Sequence, residues 1–211
     1  MSGLRAVLGH LPVHAPADHA ALLRQRVVIP LYRERVWGQP EPVPDALPYG
    51  EGALFEAGGV TLEAVPTPGH TPGHMCLVAR AGDVTWALTG DLYVGPRPLV
   101  AWYESAADDL VRSWRKLARR PFCMLPTHGA VREDGPQALA AVADFVEATA
   151  EKVLASAARL GTRDPVLVGA DALGPESSFA HLSGGEFSNA AFARSVLDPV
   201  RALPATPVRL R

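Results

Sequence analysis

Lysine is almost missing from this sequence: Lys116 and Lys152 are the only two among 211 residues, and arginine supplies the rest of the positive charge. The 20 basic and 22 acidic side chains leave a net charge of −2. No basic stripe is available to displace the counterions of a nucleic acid, so a general nucleic-acid binder is excluded. Together with the abundance of Ala, Gly and Pro, the preference for Arg reads as the coding bias of a GC-rich genome and says nothing about function. Cysteine is equally sparse. Cys76 and Cys123 each sit inside an apolar run (residues 74–78 and 122–125); no disulfide framework is implied, and both are expected to be buried, reduced core residues. No apolar run approaches the roughly 18 residues needed to span a bilayer. Residues 1–9 contain one Arg and no long apolar stretch, unlike a signal peptide. A cytoplasmic protein with no membrane partner is the expectation.

A hydrophobic content of 48% over 211 residues is enough for a substantial core. Leu4, Val7 and Leu8 fall on one helical face, with Gly9 as a stop. Residues 11–15 suit a short strand, and Pro16 suits the first turn of a helix running to about Arg26. Residues 27–37 are apolar and aromatic without a clear period. Residues 39–48 carry four prolines, which predicts an extended loop barred from a sheet interior. Residues 53–55 and 60–65 form a hairpin around Ala57, Gly58 and Gly59, with Val60, Leu62 and Ala64 alternating against Thr61 and Glu63. A second strand pair covers residues 74–80 and 84–88. Ser105, with Asp108 three residues on, predicts a capping box opening a helix through Ala118. Residues 122–125 predict a buried strand. Residues 136–160 predict a long amphipathic helix that buries Leu139, Val142, Phe145, Val146, Val153 and Leu154. Residues 161–174 and Gly184-Gly185 are turn-rich, and Ser188 predicts the N-cap of a last helix through Leu197. The expected organisation is one main domain over residues 1–160 with a helical extension over 161–211 packed on it.

Three segments carry chemistry: Thr67-Pro-Gly-His-Thr-Pro-Gly-His74, Leu88-Thr-Gly-Asp-Leu-Tyr93 and Leu125-Pro-Thr-His-Gly-Ala130. Each sets a His or Asp in a Gly/Pro turn at the end of an apolar strand, where a rigid sheet can aim side chains at one point. Imidazole with carboxylate is the donor mix of zinc and related divalent ions. One such motif alone is most often structural. Three in order are not.

The order of these motifs, with 21 residues from His70 to Asp91 and 37 from Asp91 to His128, resembles the later motifs of the metallo-β-lactamase superfamily. The resemblance covers about residues 4–158. More loosely, Ser183-Gly-Gly-Glu-Phe-Ser-Asn189 resembles the C-terminal helical region of a glyoxalase II-like branch. It implies an α/β fold, the αββα sandwich, incomplete at its N-terminus and extended by C-terminal helices. It also implies that His70, Asp91 and His128 are metal ligands, that Asp91 bridges two ions and positions the nucleophile, and that His74 supports the site without binding the ion. Zinc, or iron or manganese, one or two ions, is the implied cofactor. Metal-activated hydroxide attacking a thioester or ester bond of a small-molecule substrate is the implied chemistry. Arg97, after the Asp91 loop, is a candidate for holding an anionic substrate group.

The family's earlier motif, HxHxDH, is not intact here. In one alignment His14-Ala-Pro-Ala-Asp-His19 stands in for it, with Pro16, which has no donor atom, at the second His. In the other, residues 11–15 and the helix after Pro16 follow the motif, which then lies before Met1, and His14, Asp18 and His19 are ordinary helix-start and surface residues; Pro16 fits a helix start better than a metal cradle. His10 and His181 are expected on the surface. Missing N-terminal strands would expose an apolar face or a strand edge, which predicts poor stability alone or a homodimer. The alternative function is an inactive remnant or binding protein that keeps the fold.

Overall fold

A computed structural model describes Gly9, residues 11–98 and residues 104–201. The helix expected around Leu4–Leu8, and His10, lie outside these residues. The chain divides into two compact units, one ending at Gly50 and one spanning Glu51–Arg201. Among the described residues no helix is long and apolar enough to cross a membrane.

In the first unit, β1 (His14–Pro16) runs directly into α1 (Ala17–Leu23), the strand-then-helix order expected around Pro16. Pro16, at φ −49° and ψ 143°, makes the transition from extended to helical backbone. Residues 27–37 become helical only after Pro30, as α2 (Leu31–Trp37), which buries none of its side chains. β2 (Leu47–Tyr49) pairs in parallel with β1, His14 opposite Leu47 and Ala15 opposite Pro48. The end of the proline-rich stretch is thus strand rather than loop. A two-stranded sheet has no interior, and Leu47, whose N–H donates to the Val13 carbonyl at 2.8 Å, makes the bond that Pro48 cannot. The core here is small: Ala15, Ala20, Val43 and Ala46.

The second unit is built on a five-stranded sheet in the order β3-β4-β5-β6-β7: β3 (Leu54–Ala57), β4 (Val60–Pro66), β5 (Met75–Ala81), β6 (Val84–Gly90) and β7 (Cys123–Pro126). The first four make an antiparallel meander joined by glycine turns. β7 lies parallel to β6 because the chain crosses over through α3 (Ala107–Leu117). α3 and α4 (Gly135–Leu160) cover one face, where Cys76, Ala87 and Met124 meet Trp114, Leu139 and Val142 in the main core. On the other face Val60, Leu62, Ala79, Trp86, Leu88 and Leu125 line an open, almost wholly apolar hollow. Cys76 is buried and Cys123 half-buried, both as free thiols.

The C-terminal part forms three helices, α5 (Pro165–Leu173), α6 (Ser178–Leu182) and α7 (Asn189–Leu197). Ser188 caps α7, its hydroxyl accepting from the Ala191 N–H at 2.9 Å. Within the stretch expected as turns, α5 is a helix with Asp164 as its N-cap and Pro165 in its first turn. Gly169 is no turn signal: a Cβ there would come within 2.8 Å of the Asn189 carbonyl oxygen, so it lets α5 pack tightly on α7. The expected capping box at Ser105 does not form. α3 has Ala106 at its N-cap position and no side-chain cap, because the Ser105 hydroxyl is committed elsewhere.

Candidate metal centre

Strand directions bring the three motifs to one edge of the sheet. β5 starts beside the end of its antiparallel neighbour β6, and β6 and β7 end together because they are parallel. The loop of residues 67–74, the turn after Gly90 and the turn after Pro126 therefore share that edge. The Thr127 N–H donates to the Gly90 carbonyl at 3.3 Å, tying the last two turns together.

The loop between β4 and β5 is closed by the Thr67 N–H donating to the His74 carbonyl at 2.9 Å. Its outer side is held by α3 and the residues before it. Lys116 Nζ donates to the Pro66 carbonyl at 3.2 Å, Ser113 Oγ to Pro68 at 2.7 Å, the Ala106 N–H to Gly69 at 2.8 Å, and Ser105 Oγ to His70 at 3.0 Å. Ser105 and Ser113 are buried. Gly69, at φ +132°, has to be glycine, since a Cβ would lie 2.3 Å from the Leu110 nitrogen. α3 thus fixes the backbone that presents His70.

Asp91 stands between two imidazoles. His70 Nε2 is 3.6 Å from its Oδ2, and His128 Nε2 is 3.4 Å from its Oδ1. The Asp91 side chain is 31% exposed, His70 15% and His128 59%, so the cluster opens to solvent on the His128 side. Asp91 Oδ1 is itself buried and has no hydrogen-bond partner among the described residues, an expensive state for a carboxylate oxygen. His74 stands behind the cluster. Its ring meets the His70 ring edge-on at 6.0 Å, its Nδ1 is 2.9 Å from Thr67 Oγ1, and its Nε2 packs against Gly90.

Whether these donors suit a cation follows from the distances. A tetrahedral ion with nitrogen and oxygen ligands at roughly 2.1 Å holds those ligands about 3.4 Å apart. Both His–Asp separations match this spacing, and both are long for a hydrogen bond. Each imidazole faces a different carboxylate oxygen, so the pattern suits a bridging carboxylate with two donors for each of two ions. Among the described residues no group of three or more His, Cys, Asp or Glu side chains is arranged to hold one ion. The donors fit a divalent cation as far as they go and leave each position two short of the usual four.

The other candidates sit on other segments. His14 and Asp18 are exposed in the first unit. His19 is half-buried there, and burial lowers its pKa against the opposing pull of the Asp18 carboxylate. Arg97 is exposed beyond the Asp91 loop, and His181 is exposed on α6. Sequence reasoning missed Ser105, Ser113 and Lys116, whose partners are 35, 45 and 50 residues away. Beside His70 and Asp91 a narrow cavity of about 20 Å³, room for about one water, reaches toward Leu92, Leu110, Trp114 and Phe192.

The sheet edge, the motif order and the two imidazoles beside Asp91 describe a candidate site, and comparison with known proteins places the chain in a family. The family model of the metallo-beta-lactamase superfamily matches residues 4–128, more than half of the sequence, and the chain belongs to that superfamily. Its fold is the metallo-β-lactamase fold, mixed α and β with helices at the C-terminal end. The chain is 32% identical over 97 residues to an atrochrysone carboxyl ACP thioesterase of Aspergillus fumigatus, covering 44% of this chain and 21% of that protein. It is 36% identical over 88 residues to the lactamase-like protein nscB of Arthroderma gypseum, covering 41% of this chain and 26% of that one. The matches thus span about a quarter of these relatives. A metallo-beta-lactamase family protein from Thermus thermophilus superimposes with a TM-score of 0.51 at 20% identity, over 86% of this chain and 56% of that one. The Rm3 metallo-beta-lactamase does so with a TM-score of 0.50 at 20% identity, over 66% and 63%. These two likenesses concern the fold alone.

Proposed function

We propose that the chain is a metal-dependent hydrolase acting on a thioester or ester bond of a small molecule. The observation that carries this is the Asp91 carboxylate with an imidazole nitrogen at cation-bridging distance from each of its oxygens. Superfamily membership supports hydrolysis at family level and the use of divalent metals. The thioesterase among the relatives supports the choice of bond, as does the likeness of the 183–189 tail to the glyoxalase II-like branch. His70, Asp91 and His128 would hold the metal, zinc by donor type with iron or manganese as alternatives. Such an ion supplies Lewis acidity and lowers the pKa of water at the reacting carbonyl.

The chain's own residues do the rest. Asp91 fixes the spacing of the two donor positions. Ser105 and Ala106 hold the His70 backbone so that its ring keeps its place. The exposed His128 side is the direction of substrate approach, because the inner side closes into a cavity the size of one water. We assign the hydrolase to residues 1–160 and treat 161–211 as the packed extension, with a second copy of the chain as a partner.

A second reading, a binding protein that keeps the fold without catalysis, is favoured by the count of donors at each position. Purified protein supplied with zinc, manganese or iron(II) and offered acyl thioesters, aryl esters, lactones and phosphodiesters separates the two. The hydrolase reading expects thioester turnover that a chelator abolishes and that Asp91→Asn lowers by roughly a hundredfold or more. Undiminished turnover by Asp91→Asn contradicts it, and no turnover of any substrate by metal-supplied protein selects the binding protein.

A further inference from the structure

The helix-covered face of the five-stranded sheet is covered only in part. Two helices packed side by side, about 8–10 Å apart, shelter roughly four strands spaced about 4.8 Å. α3 and α4 shelter β5, β6 and β7, where Cys76, Ala87 and Met124 are buried. β4 is left at the margin: on its helix side Glu63 is exposed and Val65 half-buried. Between that margin and the C-terminal end of α3 lies a cavity of about 460 Å³, within the roughly 300–1,000 Å³ typical of small-molecule sites. None of His70, Asp91 and His128 lines it.

The floor of this cavity is apolar and its rim is charged on two sides. Val65, Val78 and Ala87 come from the strands, and the buried Phe122 comes from the segment after α3. On the α3 side stand Lys116 and Arg120. On the β4 side stand Glu63 and Glu51, the latter tied to that strand because the next residue, Gly52, donates its N–H to the Ala64 carbonyl at 2.9 Å. Among the described residues neither carboxylate is paired with either cation, and the Arg120 guanidinium and both carboxylates have no side-chain partner. Lys116 gives one proton to the Pro66 carbonyl at 3.2 Å and has two more to offer. Unpaired charges on an open surface are ordinarily just solvated; these four ring an apolar floor. A ligand with one negative charge would meet two carboxylates, and one with a single positive charge would meet two cations. A molecule charged at both ends finds a complement on each side, and the floor asks for an apolar body between them.

We propose that this cavity binds a zwitterionic small molecule with an apolar body, of the chemistry shared by an apolar amino acid and a short apolar peptide. The ligand carboxylate pairs with Arg120 and Lys116, its ammonium pairs with Glu63 and Glu51, and its side chains cover Val65, Val78 and Phe122. Arg120 carries most of the anion recognition, because its planar fork can hold both carboxylate oxygens at once. The site is independent of the hydrolase reading, since no group of the metal centre takes part.

The test is an NMR titration of full-length, nitrogen-labelled, metal-free protein with leucine and with leucyl-leucine. At least one probe should bind with a dissociation constant of about 1 mM or tighter and move the backbone amides of Val65, Val78 and Ala87; the tighter of the two identifies a free amino acid or a peptide as the source. Amidating the probe's carboxylate or acetylating its amine should each weaken binding by about tenfold, the loss of a charge-assisted bond. In Arg120→Ala the amidated probe should bind no worse than the free one, and in Glu51→Gln/Glu63→Gln the acetylated probe should bind no worse. A general structural effect of either change would leave those penalties in place. Arg120, Glu51 and Glu63 are exposed, so these variants should fold; should the double variant not, Arg120→Ala with the amidated probe decides. No binding of either probe by wild-type protein at about 10 mM overturns the proposal. So do amide shifts confined to other parts of the sheet, or blocked probes that bind wild type as well as free ones.

Discussion

Replacing Gly69 by alanine probes the joint on which the site is mounted. Gly69 sits at φ +132°, and an added Cβ would lie 2.3 Å from the Leu110 nitrogen, 2.6 Å from its Cα and 2.7 Å from its Cγ. Two of those three atoms belong to the backbone of α3, so no side-chain rotation relieves the clash. The helix must withdraw by about 1 Å to reach ordinary contact. Withdrawal stretches the bonds from Ala106, Ser105 and Ser113 to the carbonyls of Gly69, His70 and Pro68. Overpacking costs about 1–3 kcal/mol, and a non-glycine residue at this backbone angle about 1–3 more. For a protein of this size each kcal/mol lowers the melting temperature by roughly 2–4 °C, so the total of about 2–6 kcal/mol predicts a fall of about 4–24 °C. Near-ultraviolet circular dichroism can follow it, because the Trp114 indole N–H donates to the Leu92 carbonyl at 2.6 Å inside the same core. Gly82→Ala is the control: φ is +60° and the space around it is open, so only the backbone cost of about 1–2 kcal/mol applies. If Gly69→Ala melts no lower than Gly82→Ala, the account of α3 as the clamp on the His70 loop is wrong.

Ser105→Ala removes the hydroxyl that donates to the His70 carbonyl and should cost about 1–2 kcal/mol while weakening divalent-metal affinity in calorimetry; unchanged affinity would mean His70 is held by other contacts. A thiol reagent applied to folded protein should label the half-buried Cys123 and spare Cys76 until unfolding; equal rates would contradict the buried placement of Cys76. At the α4–α5 contact the Arg159 guanidinium, then the Ser156 hydroxyl, hold the Asp171 carboxyl at about 2. A depressed carboxylate stabilises the fold above its unfolded value of about 3.9 and loses that contribution as pH falls toward 2. The stability difference between wild type and Asp171→Asn in denaturant titrations should therefore shrink between pH 4 and 2, and a constant difference would remove Asp171 from the acid response.

The strands of the second unit were legible because alternation and turn chemistry agree there: Val60, Leu62 and Ala64 point one way, and Gly58, Gly59 and Gly82 all have positive φ. The strand-end motifs were legible for the same reason, since Gly and Pro mark the places where apolar runs stop. The long helix was placed to within a residue, but its buried stripe was misread. Leu154 is 51% exposed, while Thr149 and Ser156 continue the inward face set by Leu139, Val142, Val146 and Val153. Small polar residues can line a helix interface when their hydroxyls bond locally, as Thr149 does to the Phe145 carbonyl. α5 was hidden because Gly161 and Gly174 bound a segment that also contains Gly169, and only the fold shows that Gly169 makes room for another helix. Ser105 was legible as a polar residue at a helix start, and its partner was not. Bonds from side chains to loop carbonyls 35–50 residues away leave no periodic trace in a sequence.

Equilibrium binding of zinc or cobalt(II) to the wild-type chain and to Asp91→Asn, measured by dialysis with metal analysis, addresses the candidate centre most directly. If Asp91 bridges the His70 and His128 positions, wild-type protein retains metal and the asparagine variant, equally folded by circular dichroism, retains far less. Equal retention by both, or none by wild-type protein at saturating metal, would contradict it.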